Sequence, residues 1–292
     1  GERCSGDCAF CAQARSSAAH HNLLSRVAWP PYDAALAAEA IARACAEGSL
    51  RRICFQVTTG LGHTATAIEA VRQIRPLTDC PICVSIAPRN LEDIGLLLNV
   101  GASRVTMAID AACERVARQV KSGSWQRTVE LLTAAASAWP GCIGTHLIAG
   151  LGETEQEMAR AMQRAVDLGI ALGLFAFTPI AGTPMQSVAP PPLDSYRRLQ
   201  AALWLISHGL ARQEQFAYDE AACIEGYGLP YDQLRSVLAD PIASPFRTSG
   251  CTDCNRPYYN ERPGAVPYNY PRPLTPAEAT AEADALLGTL SD

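Results

Sequence analysis

The 292-residue sequence predicts an α/β fold built on a parallel sheet: a (βα)8 barrel, TIM-like, or an opened, partial version of one. Three observations lead to it. Short β-rich runs alternate with helical stretches of about ten to fifteen residues, the pattern of βαβ units. A hydrophobic fraction of 48% and a charged fraction of 18% suit a globular chain with a sizeable core. The residues with the most distinctive chemistry fall where strands end and loops begin, the edge on which such barrels carry their sites.

In chain order, residues 52–57 read as a strand and 64–74 as a helix. Residues 82–86 form the next strand, and Asn90 can cap the helix that follows by accepting a backbone N–H. A strand over 104–109 precedes a helix over 124–138, and 142–149 is again a strand. Thr154-Glu-Gln-Glu157 is a capping box that opens another helix. After a strand over 172–177, Pro190-Pro-Pro192 breaks the chain ahead of an amphipathic helix over 194–207, and the prolines at 30–31 act likewise. Residues 215–218 read as a further strand. The count comes to about seven, with one more expected ahead of Gly1, because the chain starts without Met three residues before its first motif. From residue 244 the character changes. Residues 244–273 are rich in Pro, Tyr, Asn and Arg without periodicity, too aromatic for a disordered linker. Thr275-Pro-Ala-Glu278 then caps a final helix with Pro276 at its first position. The expected division is a barrel over 1–243, its first strand truncated, and an extension over 244–292.

The formal net charge of −5 argues against a general nucleic-acid binder. No window approaches the ~18 consecutive apolar residues of a membrane helix. Twelve cysteines fall into CxxxCxxC, CxxC and singles. In a chain of this length that pattern reads as metal or cluster ligation in a reducing cytoplasm rather than as a disulfide framework.

The run Cys4-Ser-Gly-Asp-Cys8-Ala-Phe-Cys11 places three thiolates on one short loop. Three cysteines can hold three irons of a cubane and leave the fourth iron open. Structural zinc usually takes four ligands in CxxC pairs, so it fits this loop poorly. The spacing, with an aromatic residue before the last Cys, resembles the signature of radical S-adenosylmethionine (SAM) enzymes, and the likeness extends over roughly residues 1–220. It implies that Cys4, Cys8 and Cys11 ligate a [4Fe–4S] cluster whose open iron is chelated by SAM. One electron would then cleave SAM to methionine and a 5′-deoxyadenosyl radical, which abstracts hydrogen from the substrate.

Other residues take roles by the same resemblance. His146-Leu-Ile148-Ala-Gly150-Leu-Gly-Glu153 resembles the adenine-contacting strand, with Ile148 packed on the ring and Gly150 allowing close backbone approach. Gln56, Thr58 and Thr59 end a strand where the family binds the SAM amino group. Asp110 stands where the related biotin synthases bind the ribose. Arg127 stands, one residue out of register, where they bind the SAM carboxylate. The run from Phe175 to Pro184 resembles their sixth strand and its loop. No catalytic residue is implied beyond the ligands of cluster and SAM. His20, His21, His63, His146 and His208 show no ligand spacing and read as surface or hydrogen-bonding residues, His146 being the one nearest SAM.

A second constellation, Cys251-Thr-Asp-Cys254, lies in the run from Phe246 to Pro263, followed by Tyr268-Asn-Tyr-Pro271. This stretch resembles the tail of biotin synthase-related proteins that act as two-component lipoyl synthases. The resemblance implies that Cys251 and Cys254 ligate an auxiliary Fe–S cluster, which is consumed as sulfur donor. A lone CxxC also suits a zinc knuckle or a redox pair. Cys54 and Cys83 sit in strands where biotin synthases place cysteines of their own donor cluster. The third position of that set aligns with Gly144, and Cys142 lies two residues earlier. Two arrangements therefore stand: a tail-bound cluster that borrows barrel ligands, or one vestigial set. Simple burial is the plain alternative for Cys54 and Cys83. Cys45, Cys80, Cys113 and Cys223 read as structural, and Ser249 as a conceivable oxygen ligand. Tyr258, Tyr259, Tyr268 and Tyr270 read as packing of the tail, or as the lining of an acyl tunnel. Arg256, Arg262 and Arg272 either meet an acidic carrier domain or bond within the tail.

The expected function is a sulfurtransferase of the lipoyl synthase type. The resemblance implies as partners a lipoyl carrier protein or domain bearing octanoyl-lysine, a second radical SAM subunit, and an electron donor such as ferredoxin or flavodoxin. Biotin synthase, acting on dethiobiotin, is the nearest rival; Cys54 and Cys83 favour it and the tail does not. A radical SAM lyase or mutase would hold about four irons per chain rather than about eight. A non-enzymatic iron–sulfur scaffold would not cleave SAM.

Overall fold

Helices and strands alternate as the sequence predicts. The structure, a computed structural model, describes residues 3–24, 27–28, 30–254 and 267–290. A short antiparallel pair, β1 (Leu23–Leu24) and β2 (Val27–Ala28), precedes α1 (Ala34–Ala46). Then come β3 (Ile53–Gln56), α2 (His63–Ile74), β4 (Ile82–Ser85), α3 (Leu91–Asn99) and β5 (Arg104–Thr106). They are followed by α4 (Glu114–Val120), α5 (Trp125–Ala138), β6 (Ile143–Ala149), α6 (Glu155–Asp167), β7 (Ala171–Ala176) and α7 (Leu193–Ser207). The hairpin β8 (Ala217–Tyr218) and β9 (Ile224–Gly226), then α8 (Tyr231–Leu238) and α9 (Pro276–Leu287), complete the chain. Strands β3 to β7 pair in sequence order, all parallel, and curl into a half-barrel. The helix starts are where the caps place them. Asn90, Ser124 and Thr154 each accept the N–H three residues on, and Thr275 with Glu278 closes a capping box.

Alternation along each strand sorts the side chains. Ile53, Val84, Val105 and Leu147 turn toward the helices and join one core with Leu97 and Met158. Each such fully buried side chain contributes about 1.5–3 kcal/mol relative to exposure. Cys54 with Gln56, and Cys83 with Ser85, alternate with them in matched register and turn to the concave face.

Two expectations about elements need correction. Residues 215–218 do not extend the barrel: only Ala217–Tyr218 is strand, and it pairs antiparallel with β9. A local turn, closed by the Asp219 N–H on the Cys223 carbonyl at 3.0 Å, folds the segment on itself. Among the described residues the parallel sheet therefore has five strands rather than about seven. Helices α1, α4 and α8 gave no readable signal. Helix α1 is alanine-rich and buries only Ala38, so no apolar stripe marks it.

The tail packs on this frame. Phe246, Tyr270, Leu274 and Leu286 belong to the same core as the strands. The Leu174 N–H, on the outer edge of β7, donates to Ser249 Oγ at 2.9 Å. Ser249 thus covers an open sheet edge and is engaged as a backbone acceptor instead of standing open as a ligand. Tyr268 donates to the Pro191 carbonyl at 2.7 Å and meets Tyr196 edge-on, and Tyr270 donates to Glu282 at 2.8 Å, so both are packing residues. Arg272 is held by Glu278 through two bonds of 2.8 and 2.9 Å, within the tail. Tyr258, Tyr259, Arg256 and Arg262 lie outside the described residues.

One buried ion pair ties α6 to α7. Glu155 accepts from Arg198 Nη2 at 2.6 Å and Nε at 2.9 Å, from Ser195 Oγ at 2.7 Å, and from the Ile224 N–H at 2.8 Å. Arg198→Met is expected to destabilise the fold by about 3–5 kcal/mol by stranding that carboxylate. A chemical-denaturation midpoint reads the loss, and adding Glu155→Leu should recover part of it. No helix among the described residues is long and apolar enough to cross a membrane.

Candidate active site

The loop bearing Cys4, Cys8 and Cys11 is fastened at both ends and in its middle. Cys4 N–H donates to the Gln13 carbonyl at 2.9 Å and Arg15 N–H to that of Gly6 at 2.9 Å, closing the loop on itself. The Ser5 N–H reaches the Thr59 carbonyl, past the end of β3, at 2.7 Å. The Ala9 N–H donates to the Val120 carbonyl at 2.8 Å, and the Asp7 N–H to Ser122 Oγ at 3.0 Å. Asp7 in turn accepts from the Ser16 backbone and hydroxyl, which hold its carboxyl below the usual range. Gly182, at a φ of 85°, lets the loop's far end approach: a Cβ there would lie 2.5 Å from the Ala19 nitrogen.

The loop forms one wall of a cavity of about 300 Å³ at the carboxyl ends of the strands, lined by Cys4, Cys11, Gln56, Thr58, Ser85, Asp110, His146, Ile148 and Phe175. Burial pushes the Cys11 thiol up to about 11, and the nearby Cys8 and Cys4 thiols add to the effect. Such mutual repulsion among thiolates is what a cationic iron core relieves. Among the described residues no three of His, Cys, Asp and Glu converge on a single ion. The three thiols share one short loop, and the adjoining cavity mixes polar groups with an apolar wall, a lining that suits a nucleoside-bearing sulfonium.

Asp110 is the strained residue of the site. Its φ of 55° lies in the left-handed region, which a residue with a Cβ rarely adopts. Its N–H donates to the His146 carbonyl at 2.9 Å and its carbonyl accepts from Ile148 at 2.8 Å, so β6 holds it there. Lys121 Nζ, nearly buried, donates to Asp110 Oδ2 at 2.5 Å and to the Ala108 carbonyl at 2.7 Å. Burial works to lower the Lys121 pKa, and the Asp110 carboxylate overcomes it and leaves the pKa raised. Val120, Lys121 and Ser122 together brace both the cysteine loop and Asp110. Sequence reasoning missed all three, although one signal was present: Lys121 is the only lysine in the chain. Lys121→Met is expected to cost about 3–5 kcal/mol by leaving Asp110 charged and unpaired. In a denaturation cycle, Asp110→Asn combined with Lys121→Met should cost less than the sum of the single changes. Additive losses would show that the pair is not coupled.

Two residues expected to contact SAM, Arg127 and Gly150, do not line this cavity. Arg127 is exposed on the first turn of α5 and does not line the cavity. Ser124 caps the helix, and Trp125 turns inward to donate to the Ala111 carbonyl at 3.1 Å. Two residues on, about 200° round the helix, Arg127 faces solvent. Gly150 is also outside the cavity lining. Its φ of 98° and the approach of Pro191, 2.8 Å from where a Cβ would sit, explain the glycine instead. Thr59 contributes its backbone to the loop and not a side chain to the cavity. The Glu153 carboxylate accepts from the Gly150 and Leu151 N–H groups at 2.6 and 3.0 Å, and burial raises its pKa. His146 lines the cavity edge-on to Phe175, with ring centroids 5.1 Å apart. His63 bonds the Gly60 and Ala87 carbonyls, and His208 stacks on Trp204.

The remaining cysteines of interest meet at the amino ends of the strands. Cys54 pairs in register with Cys83, and Cys83 with Arg104. Cys83 is buried, whereas Cys54 is exposed, so burial does not explain Cys54. Cys83 Sγ lies 3.4 Å from Cys251 Sγ, across 168 residues of sequence, and Arg52 Nη1 lies 3.1 Å from Cys83 Sγ. The Cys83 thiol donating to Cys251, with Arg104 and Arg52 beside it, lowers the Cys251 pKa and raises that of Cys83. Cys254 shares a cavity wall with Cys251. Gly144 leaves no room for a further thiol: a Cβ would stand 2.7 Å from Thr106 Oγ1 and 3.3 Å from the Ala171 carbonyl.

Comparison with known proteins agrees with this geometry. The family model described as the Radical SAM superfamily matches residues 1–165. A biotin synthase of Clostridium acetobutylicum is 26% identical over 195 residues, covering 64% of this chain and 57% of its own length. A chloroplastic lipoyl synthase of Arabidopsis thaliana is 28% identical over 145 residues, covering 47% of this chain and 36% of its own length. The chain thus spans only part of these curated relatives. Among solved structures, HydG, a maturase of the [FeFe]-hydrogenase, superposes with a TM-score of 0.58 at 11% identity, over 70% of this chain and 48% of HydG. Methylornithine synthase (PylB) gives 0.55 at 12% identity, over 71% and 60%. At such identities these likenesses speak for the fold alone.

Proposed function

The chain belongs to the radical SAM superfamily, and we propose that it is a sulfur-inserting enzyme of the lipoyl synthase type, acting on an octanoyl chain carried by a lipoyl protein or domain. Cys4, Cys8 and Cys11 would hold the [4Fe–4S] cluster, and Gln56, Thr58, Asp110 and Ile148 would hold SAM. When bound, cluster and SAM supply the radical that takes hydrogen from an unactivated carbon. The chain's own residues prepare that event. Asp110, fixed by Lys121, offers acceptors for hydroxyl groups. Ile148 and Phe175 give a flat ring an apolar wall and exclude water. The bonds to Thr59, Val120 and Ser122 keep the cysteine loop in place.

One observation carries the sulfur-insertion reading: the 3.4 Å contact between Cys83 of the barrel and Cys251 of the tail. It supports an auxiliary Fe–S group held between the two, with Cys54 and Cys254 as neighbouring ligands and Arg52 and Arg104 offsetting the thiolate charge. That is the arrangement in which a tail-bound cluster borrows barrel ligands. The closed space at Gly144 speaks against the biotin synthase set of ligands, while the similarity to biotin synthases keeps dethiobiotin as the second substrate to test. A second radical SAM subunit, a ferredoxin or flavodoxin as electron donor, and a cytoplasmic setting belong to the same proposal.

The test is anaerobic reconstitution followed by product mass spectrometry, with an octanoylated lysine peptide and separately with dethiobiotin. Sulfur on the octanoyl chain supports the reading. Sulfur on dethiobiotin alone replaces it with biotin synthesis. Deoxyadenosine without sulfur transfer to either would sink sulfur insertion and favour a lyase or mutase.

A further inference from the structure

Seven of the twelve cysteines belong to the two groups already described. Of the others, Cys45 and Cys80 meet each other. Cys45 lies on the last turn of α1, and Cys80 lies two residues ahead of β4. Both are half-buried, and both pack against the strand core. Leu50 joins their surroundings: its N–H donates to the Ala44 carbonyl at 3.1 Å, and its own carbonyl accepts from the Cys80 thiol at 3.5 Å. The Ser49 N–H and hydroxyl reach the same Ala44 carbonyl at 3.0 and 2.9 Å. On the other side, the Cys80 N–H donates to Thr78 Oγ1 at 3.2 Å, and Arg75 bonds the Thr78 carbonyl. Backbone bonds thus hold the two thiols on facing elements. Neither lines the cavity beside the cysteine loop or the one shared by Cys251 and Cys254.

A single half-buried cysteine packs as a small apolar residue. Two in contact have a reaction open to them that neither has alone. Burial raises the Cys45 pKa and its hydrogen bond with Cys80 raises it further, while the Thr78 hydroxyl and the Arg75 charge act the other way. The contact therefore keeps the pair as thiols at rest, with a cation at hand for the thiolate that starts a reaction. Among the described residues no third His, Cys, Asp or Glu converges on the pair to complete a metal site. Cys113, by contrast, faces the Glu157 carboxylate at 3.3 Å.

We propose that Cys45 and Cys80 are a redox-active dithiol, which a small-molecule disulfide converts to a cross-link between the end of α1 and the segment ahead of β4. One cysteine attacks the S–S bond of the reagent, forming a mixed disulfide and releasing one thiol. The other attacks that mixed disulfide, forms the Cys45–Cys80 bond and releases the second thiol. Two electrons pass from the cysteines to the reagent, and the two protons leave on the released thiols. Hydrogen-bonded thiols have mainly to rotate to reach the about 2.05 Å of a disulfide. The cross-link closes a loop that contains β3 and α2, and so restrains the unfolded chain. It also fixes the base of the segment that carries Arg52, whose Nη1 lies 3.1 Å from Cys83 Sγ. The dithiol needs neither cluster nor SAM, so it stands apart from the sulfur-insertion reading.

Anaerobic incubation of the reconstituted protein with oxidised glutathione, alkylation of the remaining thiols and peptide mass spectrometry test it. A Cys45–Cys80 cross-link is expected, reversed by dithiothreitol, with the thermal midpoint raised by about 5 °C. Cys45→Ser and Cys80→Ser should each abolish the cross-link and the shift. Each should also leave a glutathione adduct on the surviving thiol, because the cysteine that would expel it is gone. Cys113→Ser should change none of these. The parent protein alone decides the matter if a variant fails to fold. Cys45 and Cys80 recovered there unlinked, whether alkylated or carrying separate glutathione adducts, would overturn the proposal, as would a cross-link confined to Cys83 and Cys251.

Discussion

Cys8→Ala is expected to empty the amino-terminal loop of iron and reduce deoxyadenosine production to background, while the protein stays folded. The backbone of the loop does not depend on this side chain. Its fastenings are main-chain bonds to Gln13, Thr59 and Val120 and the Ser122 hydroxyl on Asp7. Among the described residues the Cys8 thiol makes one hydrogen-bonding contact, 3.9 Å from Ser122 Oγ. Losing one of three thiolates should therefore change ligation and little else, and the thermal midpoint should stay near that of the parent. A site left with two protein ligands holds a cubane poorly. Iron analysis and a timed assay of deoxyadenosine under reducing conditions read the two effects. Deoxyadenosine at the parental rate would remove the cluster from this loop, and with it the use of the cavity beside it for SAM.

The double change Cys251→Ala and Cys254→Ala should have the opposite signature. SAM cleavage persists, iron falls by about half, and sulfur transfer stops. The tail should keep its place, because Phe246 and Tyr270 are buried in the core and Ser249 remains on the edge of β7. Cys83→Ala should reproduce the loss, since its sulfur meets that of Cys251. Cys142→Ala, outside this group, should not. Full iron content in the double variant would show that the sulfur source lies elsewhere and would leave the Cys83–Cys251 contact as a thiol pair alone.

Much of the frame was legible. Asn90, Thr154 and Thr275 announced helix starts, because a cap satisfies N–H groups only two or three residues away. The parallel strands were readable because an apolar run of three to seven residues between such helices has little else to become. Segment 215–218 misled for the complementary reason: its composition suits a strand, and nothing local says whether a strand joins the sheet or closes on a hairpin. Helix α1 stayed hidden because alanines give no stripe to read.

By itself the sequence determined the kind of chemistry. Three cysteines within eight positions are constrained by a short loop to act together, whatever the rest of the chain does. It also marked Lys121, by making it the single lysine, without saying what that lysine touches. Only the tertiary structure decided which distant groups meet. It put Cys83 against Cys251 and Lys121 against Asp110, and it faced Arg127 to solvent, outside the cavity beside the cysteine loop. The reason is geometric. Periodicity records which side of an element faces the core, whereas contacts between elements depend on how the sheet curls and where the tail returns, and no local spacing carries that information.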